Sequence, residues 1–330
     1  MLNYKILLIS FFCAGILSWI ITRYGQSYKL LDYPSLRSSH SQPIPKGGGS
    51  GIVLGYLTVS LLLGMRIWWW LPPALIGLLG LWADRMEIAP RIRLVFQFAL
   101  AYLFLLNVQT WPSVISWSIA LDLLLMTYIV GTANIYNFMD GINGIAAIIG
   151  SISFLLLGSF ALFSGVGTRL SLLLFAVAAA CLGFLPFNFP HARVFMGDVG
   201  STFLGFLFAG ATVYLARDLN DFFLLSACLF PFYADELTTM LVRVRDRENI
   251  TKAHRRHLYQ LLANEGRLPH WQVTLAYALG QIVIAAMAWW MWRYGLTHLV
   301  IMLIVFFAGF TVLSTQVRKK LSCTVAIPPF

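Results

Sequence analysis

"RLSLLLFAVAAACLGFLPFNFPHARVFMGDVGSTFLGFLFAGATVYLA", residues 169–216, holds two apolar runs separated by a short polar turn. Each run approaches the roughly 20 helical residues that about 30 Å of hydrocarbon requires. One carboxylate, Asp198, stands between Gly197 and Gly200 where the second run begins. An ionisable group is costly in hydrocarbon and marks function unless it stands at the membrane surface. The stretch reads as two membrane-crossing helices joined by a polar turn.

The same pattern repeats outward in both directions. Candidate spans fall at 4–22, 48–65, 68–83, 92–108, 117–134, 142–163, 169–187, 199–216, 222–242, 271–292 and 297–316. The 330 residues are 59% hydrophobic and only 11% charged, with mean hydropathy +0.78, against about 25% charged residues in soluble domains. These features predict an all-α polytopic membrane protein of about 11 transmembrane helices, residues 1–330 forming one integral domain. Lys5 precedes the first run, but so many spans follow that it reads as an ordinary helix and not a cleaved signal.

Orientation follows from the basic residues, because cytoplasmic loops carry the excess of Lys and Arg. With the N-terminus outside, 18 of the 23 Lys and Arg lie on the inner side. The expectation is a periplasmic N-terminus and a cytoplasmic C-terminus. The net charge of +10 is accounted for by this bias and by anionic lipid, so no nucleic-acid partner is expected. Cys13, Cys181, Cys228 and Cys323 are scattered without a C-x-x-C pair and read as packing residues.

Outer loops are short, whereas five inward segments hold nearly all residues able to react: 23–47, 84–93, 134–144, 188–201 and 243–270. The first contains Asp32, Arg37, His40 and Lys46, followed by Gly47, Gly48 and Gly49. Three glycines opening a helix suit close backbone approach to a phosphate, and equally a solvated loop. Asp84, with Arg85, Glu87, Arg91 and Arg93, reads by default as an exposed interfacial ion-pair cluster. Asn134, Asn137, Asp140 and Asn143 recur every three residues, so a helical turn would align them toward a ligand; a run of helix caps is the alternative.

Asp198 either caps the following helix with Ser201 or, as a hard oxygen donor, holds Mg²⁺ together with phosphate oxygens. Asp235 and Glu236 fall inside the ninth span, where acids are costly and usually functional. His254 and His257 are three apart and flank Arg255 and Arg256. A zinc site is disfavoured because no further ligand is near; arginine forks and imidazoles suit a pyrophosphate, and a basic surface helix on anionic lipid is the rival. Carboxylates, cations and amides at one membrane surface together describe phosphoryl transfer with a lipid partner.

"RSSHSQPIPKGGG", "ADRMEIAPRIR", "NIYNFMDGINGIA", "FNFPHARVFMGDVGS" and "HRRHLYQ" resemble, in this order, the cytoplasmic loops of the polyprenyl-phosphate N-acetylhexosamine-1-phosphate transferases, glycosyltransferase family 4. The likeness runs from about residue 32 to 260 and looks closest to the bacterial branch that initiates O-antigen synthesis. It implies transfer of an N-acetylated amino-sugar 1-phosphate from a UDP-sugar to undecaprenyl phosphate, with Mg²⁺ (or Mn²⁺) and release of UMP. The setting implied is the bacterial inner membrane, with the site on the cytoplasmic face among membrane lipids; a homodimer is left open.

Carried over by position, Asp198 corresponds to the metal-binding Asp and Asp84 to the second of an adjacent Asp pair. Asn137 and Asp140 match an Asn-x-x-Asp motif, and His254 and His257 the basic His loop. The implied catalytic set is therefore Asp84, Asp140, Asp198, His254 and His257, with Asp198 and Asp84 at the metal. Asp32, Arg37, His40, Lys46, Asn134, Asn137, Asn143, Asn188, Arg255 and Arg256 form the implied substrate-binding set. Two positions depart: Ala83 stands where the pair has its first Asp, and Asn143 where many relatives have Asp.

Overall fold

The computed structural model describes residues 4–34, 42–86, 88–108, 119–249 and 254–324. In order these form α1 (Tyr4–Tyr24), β1 (Leu31–Asp32), β2 (Ile44–Pro45), α2 (Ser50–Leu62), α3 (Ile67–Arg85), α4 (Pro90–Val108) and α5 (Ile119–Phe138). There follow α6 (Ile145–Phe163), α7 (Thr168–Asn188), α8 (Gly197–Leu215), α9 (Leu219–Ala227), α10 (Phe230–Arg245), α11 (Leu258–Asn264), α12 (His270–Trp292) and α13 (Leu296–Thr324). The protein is an all-α polytopic membrane protein. Helices α1, α5, α6, α7, α8, α12 and α13 are long and apolar enough to cross a bilayer by length and composition. The two short strands pair antiparallel, Leu31 with Pro45 and Asp32 with Ile44.

Ten of the expected spans coincide with one helix each, and the span at 222–242 is divided into α9 and α10. Pro231 is the reason: it has no N–H for the Ala227 carbonyl and its ring clashes there, so α9 stops at Ala227. The intervening Cys228 and Leu229 amides fall back to Leu225 and Ser226. Ser153 on α6 donates to the freed Cys228 carbonyl at 2.9 Å, as an irregular stretch at membrane depth requires.

Helix α8 is the centre of the bundle. Its apolar window is 89% buried, against 11% for α13 at the periphery, and it packs on α3 and α5. Small residues set the closest approaches, because apolar burial alone does not drive helices together in lipid. A Cβ on Gly183 of α7 would lie 2.1 Å from the Phe11 carbonyl of α1, and one on Gly80 of α3 would lie 2.5 Å from the Asp198 carbonyl of α8. This second contact brings the ends of α3 and α8 together and builds the site.

Candidate active site

Asp84 lies one residue past the apolar run of α3. With Gly80 letting the two backbones approach, its Oδ1 and Oδ2 accept the Asp198 and Val199 amides, each at 3.2 Å. These are orphan donors in the first turn of α8, so Asp84 caps α8 from another helix. Asp198 does not cap its own helix, and Ser201 donates to the Gly197 carbonyl. The exposed ion-pair reading of Asp84 is thereby corrected, since its side chain is only 4% exposed.

Freed from capping, the Asp198 carboxylate takes Arg93 at 2.7 Å on one oxygen and Asn137 Nδ2 at 2.8 Å on the other. Asn137 also donates to Ser201 Oγ at 2.8 Å, so α4, α5 and α8 meet at this carboxylate. Helix α5 ends at Phe138, which corrects the picture of four aligned side chains. Asn134 and Asn137 are helical, whereas Asp140 and Asn143 lie in the turn before Gly144, whose φ is +80°. Burial first, then Asp198 and Asp84, push the Asp140 carboxyl well above the carboxylate range. Burial, then Asp198, push Asp84 up to about 7, against the pull of Lys46 and the two α8 amides.

The glycine run has a packing role. Gly48 and Gly49 donate their amides to the Phe195 and Met196 carbonyls at 2.9 Å, and Phe195 donates to the Pro45 carbonyl at 2.8 Å. A Cβ on Gly49 would lie 2.4 Å from Gly200 Cα. The backbone approach is thus to the 195–200 turn, and the two amides are committed there instead of facing a phosphate. The same pairing carries Lys46 to the site, its Nζ 3.9 Å from Asp84. Asp32 sits on β1 opposite Ile44; Arg37 and His40 lie outside the described residues.

The His loop docks beside this cluster. Tyr259 donates its hydroxyl to the Phe138 carbonyl at 2.9 Å, which joins α11 to the turn that carries Asp140. Residues 254–257 are not helical, and the two imidazoles lie 4.7 Å apart. Burial first, then His257 and Arg243, lower His254 to about 3, and burial lowers His257. In both rings burial disfavours the charged form. Arg255 pairs with Glu265 at 2.7 Å, and Arg256 with Asp246 at 2.6 Å and with Glu248.

Three expected substrate contacts are bonded to protein in this structure. Asn134 reaches Gln97 at 2.8 Å, one helical turn deeper than Asn137. Asn143 reaches the Pro190 carbonyl at 3.0 Å. Buried Asn188 accepts the Gly144 amide at 2.7 Å and donates to the Val194 carbonyl at 2.8 Å, tying two polar turns together. A residue that sequence reasoning left outside the site is Arg93, and its signal was Pro90. Proline favours the first helical position, so Arg93 falls in the first turn of α4 and points across the bundle end.

A metal can be tested against these donors. Among the described residues no group of three or more His, Cys, Asp or Glu encloses an ion. The available set is Asp198, whose side chain is 28% exposed, with Asp84 and Asp140, whose carboxyls it helps to push upward. Hard carboxylate oxygens, few in number, fit Mg²⁺ completed by phosphate oxygens and water.

Comparison with known proteins bears on the same residues. The profile of glycosyl transferase family 4 matches residues 67–216, which contain Asp84, Arg93, Asn137, Asp140 and Asp198. An undecaprenyl-phosphate alpha-N-acetylglucosaminyl 1-phosphate transferase of Thermotoga maritima is 31% identical over 233 residues, 68% of this chain and 69% of that protein. A probable undecaprenyl-phosphate N-acetylglucosaminyl 1-phosphate transferase of Bacillus subtilis is 25% identical over 303 residues, 83% of this chain and 81% of its own length. A decaprenyl-phosphate N-acetylglucosaminephosphotransferase of Mycobacterium tuberculosis is 28% identical over 322 residues, 84% and 78% of the two chains. With an acidic site at one end of a helical bundle and this likeness along most of its length, the chain belongs to glycosyl transferase family 4, among the polyprenyl-phosphate N-acetylhexosamine-1-phosphate transferases.

Proposed function

We propose that the protein transfers an N-acetylated amino-sugar 1-phosphate from a UDP-sugar to undecaprenyl phosphate, releasing UMP. The reading is of the first membrane step of O-antigen or another cell-surface polysaccharide, on the cytoplasmic face of a bacterial inner membrane. The observation that carries it is the convergence of Asp84, Asp140 and Asp198 with Lys46, Arg93 and Asn137 at one end of the bundle. Acids at helix ends beside cations suit phosphates arriving from water to meet a lipid, whereas transporters place their charged groups near the midplane.

In the reaction a lipid-phosphate oxygen attacks the sugar-side phosphorus, and the bond from that phosphorus to the bridging oxygen breaks, UMP leaving with the electron pair. Mg²⁺, held by Asp198 and Asp84, would supply neutralising charge to the diphosphate. Asp84 orients the first turn of α8 and so aims Asp198. Arg93 and Lys46 offer charge to phosphate oxygens, and Asn137 fixes the rotamer of Asp198. No strong base is needed, because a phosphate monoester with second pKa about 6 is largely deprotonated at pH 7. This softens the loss represented by Ala83, which leaves a methyl group where the family pair has a carboxylate. A catalytically impaired member is the second reading, and it rests on Ala83 alone.

The test is UMP release from a panel of UDP-N-acetylamino sugars by the chain in undecaprenyl-phosphate vesicles, with mass spectrometry of the lipid. A sugar-diphosphate-lipid product with stoichiometric UMP supports the reading. Nucleotide binding without UMP release from any donor would leave the impaired member in its place.

A further inference from the structure

The loop bearing His254 and His257 is gripped from two helices that contribute nothing else to the carboxylate cluster. From α10, fully buried Asp235 accepts the Leu258 amide on Oδ1 at 2.8 Å and the Tyr259 amide on Oδ2 at 3.2 Å. The Tyr277 hydroxyl at 2.7 Å and the Thr239 hydroxyl at 3.2 Å complete its shell. Asp235 thereby caps α11 from outside, as Asp84 caps α8. From α13, Arg318 donates to the Arg256 carbonyl at 2.6 Å, to Thr239 Oγ1 at 3.0 Å and to Ser314 Oγ at 3.1 Å.

The two grips bracket one residue. Arg318 holds the carbonyl that precedes His257, and Asp235 holds the two amides that follow it. Thr239 lies between them, accepting from Arg318 and donating to Asp235. The side chain of His257 is 3% exposed, stacked 5.6 Å from Tyr259 with its Nε2 3.5 Å from Glu236. A ring enclosed in this way takes its position from the backbone on either side of it, which Arg318 and Asp235 hold. A charge-assisted guanidinium bond to a carbonyl and a carboxylate bond to amides are the strong forms of this contact.

We propose that Arg318 and Asp235 form a clamp that positions the 254–257 loop, Arg318 acting through the backbone of Arg256 and touching no substrate. The last helix of the bundle, which is otherwise peripheral, is thereby tied to the site. The functional half of the proposal rests on the sugar-phosphate transfer proposed above; the structural half does not.

Hydrogen exchange and kinetics of the full chain in nanodiscs test it together. Arg318→Met keeps the apolar stem and removes the donors. Exchange in peptides covering 254–264 is expected to rise about tenfold, with α6 and α7 unchanged, and Asp235→Asn to raise the same peptides. The KM for the UDP-sugar is expected to rise about tenfold while that for undecaprenyl phosphate stays constant. If Arg318→Met does not accumulate, Arg318→Gln, which keeps an amide donor, takes its place with a smaller rise. Unchanged exchange at 254–264, or an equal rise in every helix, overturns the clamp. A wild-type chain without transfer, whose 254–264 peptides still loosen on substitution, overturns the transferase reading and leaves the clamp standing.

Discussion

Two aspartates that look alike in sequence have different work in the structure, and substitution separates them. Asp84→Ala removes both acceptors from the first turn of α8 and is expected to cost about 1–2 kcal/mol of stability. Asp198→Ala breaks a partly exposed pair with Arg93 and removes the acceptor of the Asn137 amide; it is expected to cost about 1 kcal/mol, yet to abolish transfer. Thermal unfolding in detergent set beside UMP release checks both. His254 offers a test in pH. Its pKa falls from 6.5 to about 3 on folding, so below pH 6.5 the unfolded chain binds the proton and the folded chain does not. Its contribution to stability is full above pH 6.5 and declines as pH falls toward 3. His254→Asn should therefore lose less melting temperature between pH 7 and pH 5 than the parent; an equal or larger loss contradicts the lowered pKa of this half-buried imidazole. Asp198 was legible from its glycines and its place at the end of an apolar run. The role of Asp84 was not, because a cap supplied by another helix leaves no mark in local sequence.

Helices were read well where hydrophobic length alone defines them, as at α6, α7 and α12, and less well where one residue overrides the pattern. Pro231 sits inside an apolar run that hydropathy joins from 222 to 242, and the chain breaks there because a proline lacks the donor that the preceding turn needs. The segment 134–144 was read as an inward loop in which a helical turn would align Asn134, Asn137, Asp140 and Asn143; α5 ends at Phe138, and Asp140 and Asn143 lie in the turn before Gly144. At this scale the decisive contact is Gly80 against the start of α8. Gly80→Ala places a methyl 2.5 Å from the Asp198 carbonyl and is expected to cost about 1–3 kcal/mol by overpacking, with loss of transfer. Gly131→Ala, on α5 with nothing within 4 Å of its added Cβ, should be neutral or slightly stabilising. Melting curves of the two variants check the pair; equal effects would mean that the α3–α8 approach is not what holds the site.

For the whole molecule, the class was plain from apolar length and scarcity of charge, while the meeting of remote loops was not. Residues 46, 84, 93, 137, 140 and 198 come together only because α8 lies at the centre with α3 and α5 packed on it, and no local pattern encodes that arrangement. The proposed orientation belongs to this scale. Single cysteines introduced at Arg217 and at Lys319 in a chain lacking its four native cysteines should be labelled from opposite sides of intact spheroplasts, Arg217 from outside. Labelling of Lys319 from outside reverses the topology and moves the acidic cluster off the cytoplasmic face. The central claim is that this cluster transfers a sugar phosphate to lipid. Its most direct measurement is transfer of radiolabel from a UDP-N-acetylamino sugar into undecaprenyl lipid by membranes containing the chain, its Asp198→Asn variant or its Ala83→Asp variant. We expect labelled lipid from the parent, at least about a hundredfold less from Asp198→Asn, and at least the parent's yield from Ala83→Asp; no labelled lipid from either the parent or Ala83→Asp, across the donor panel, would contradict the account.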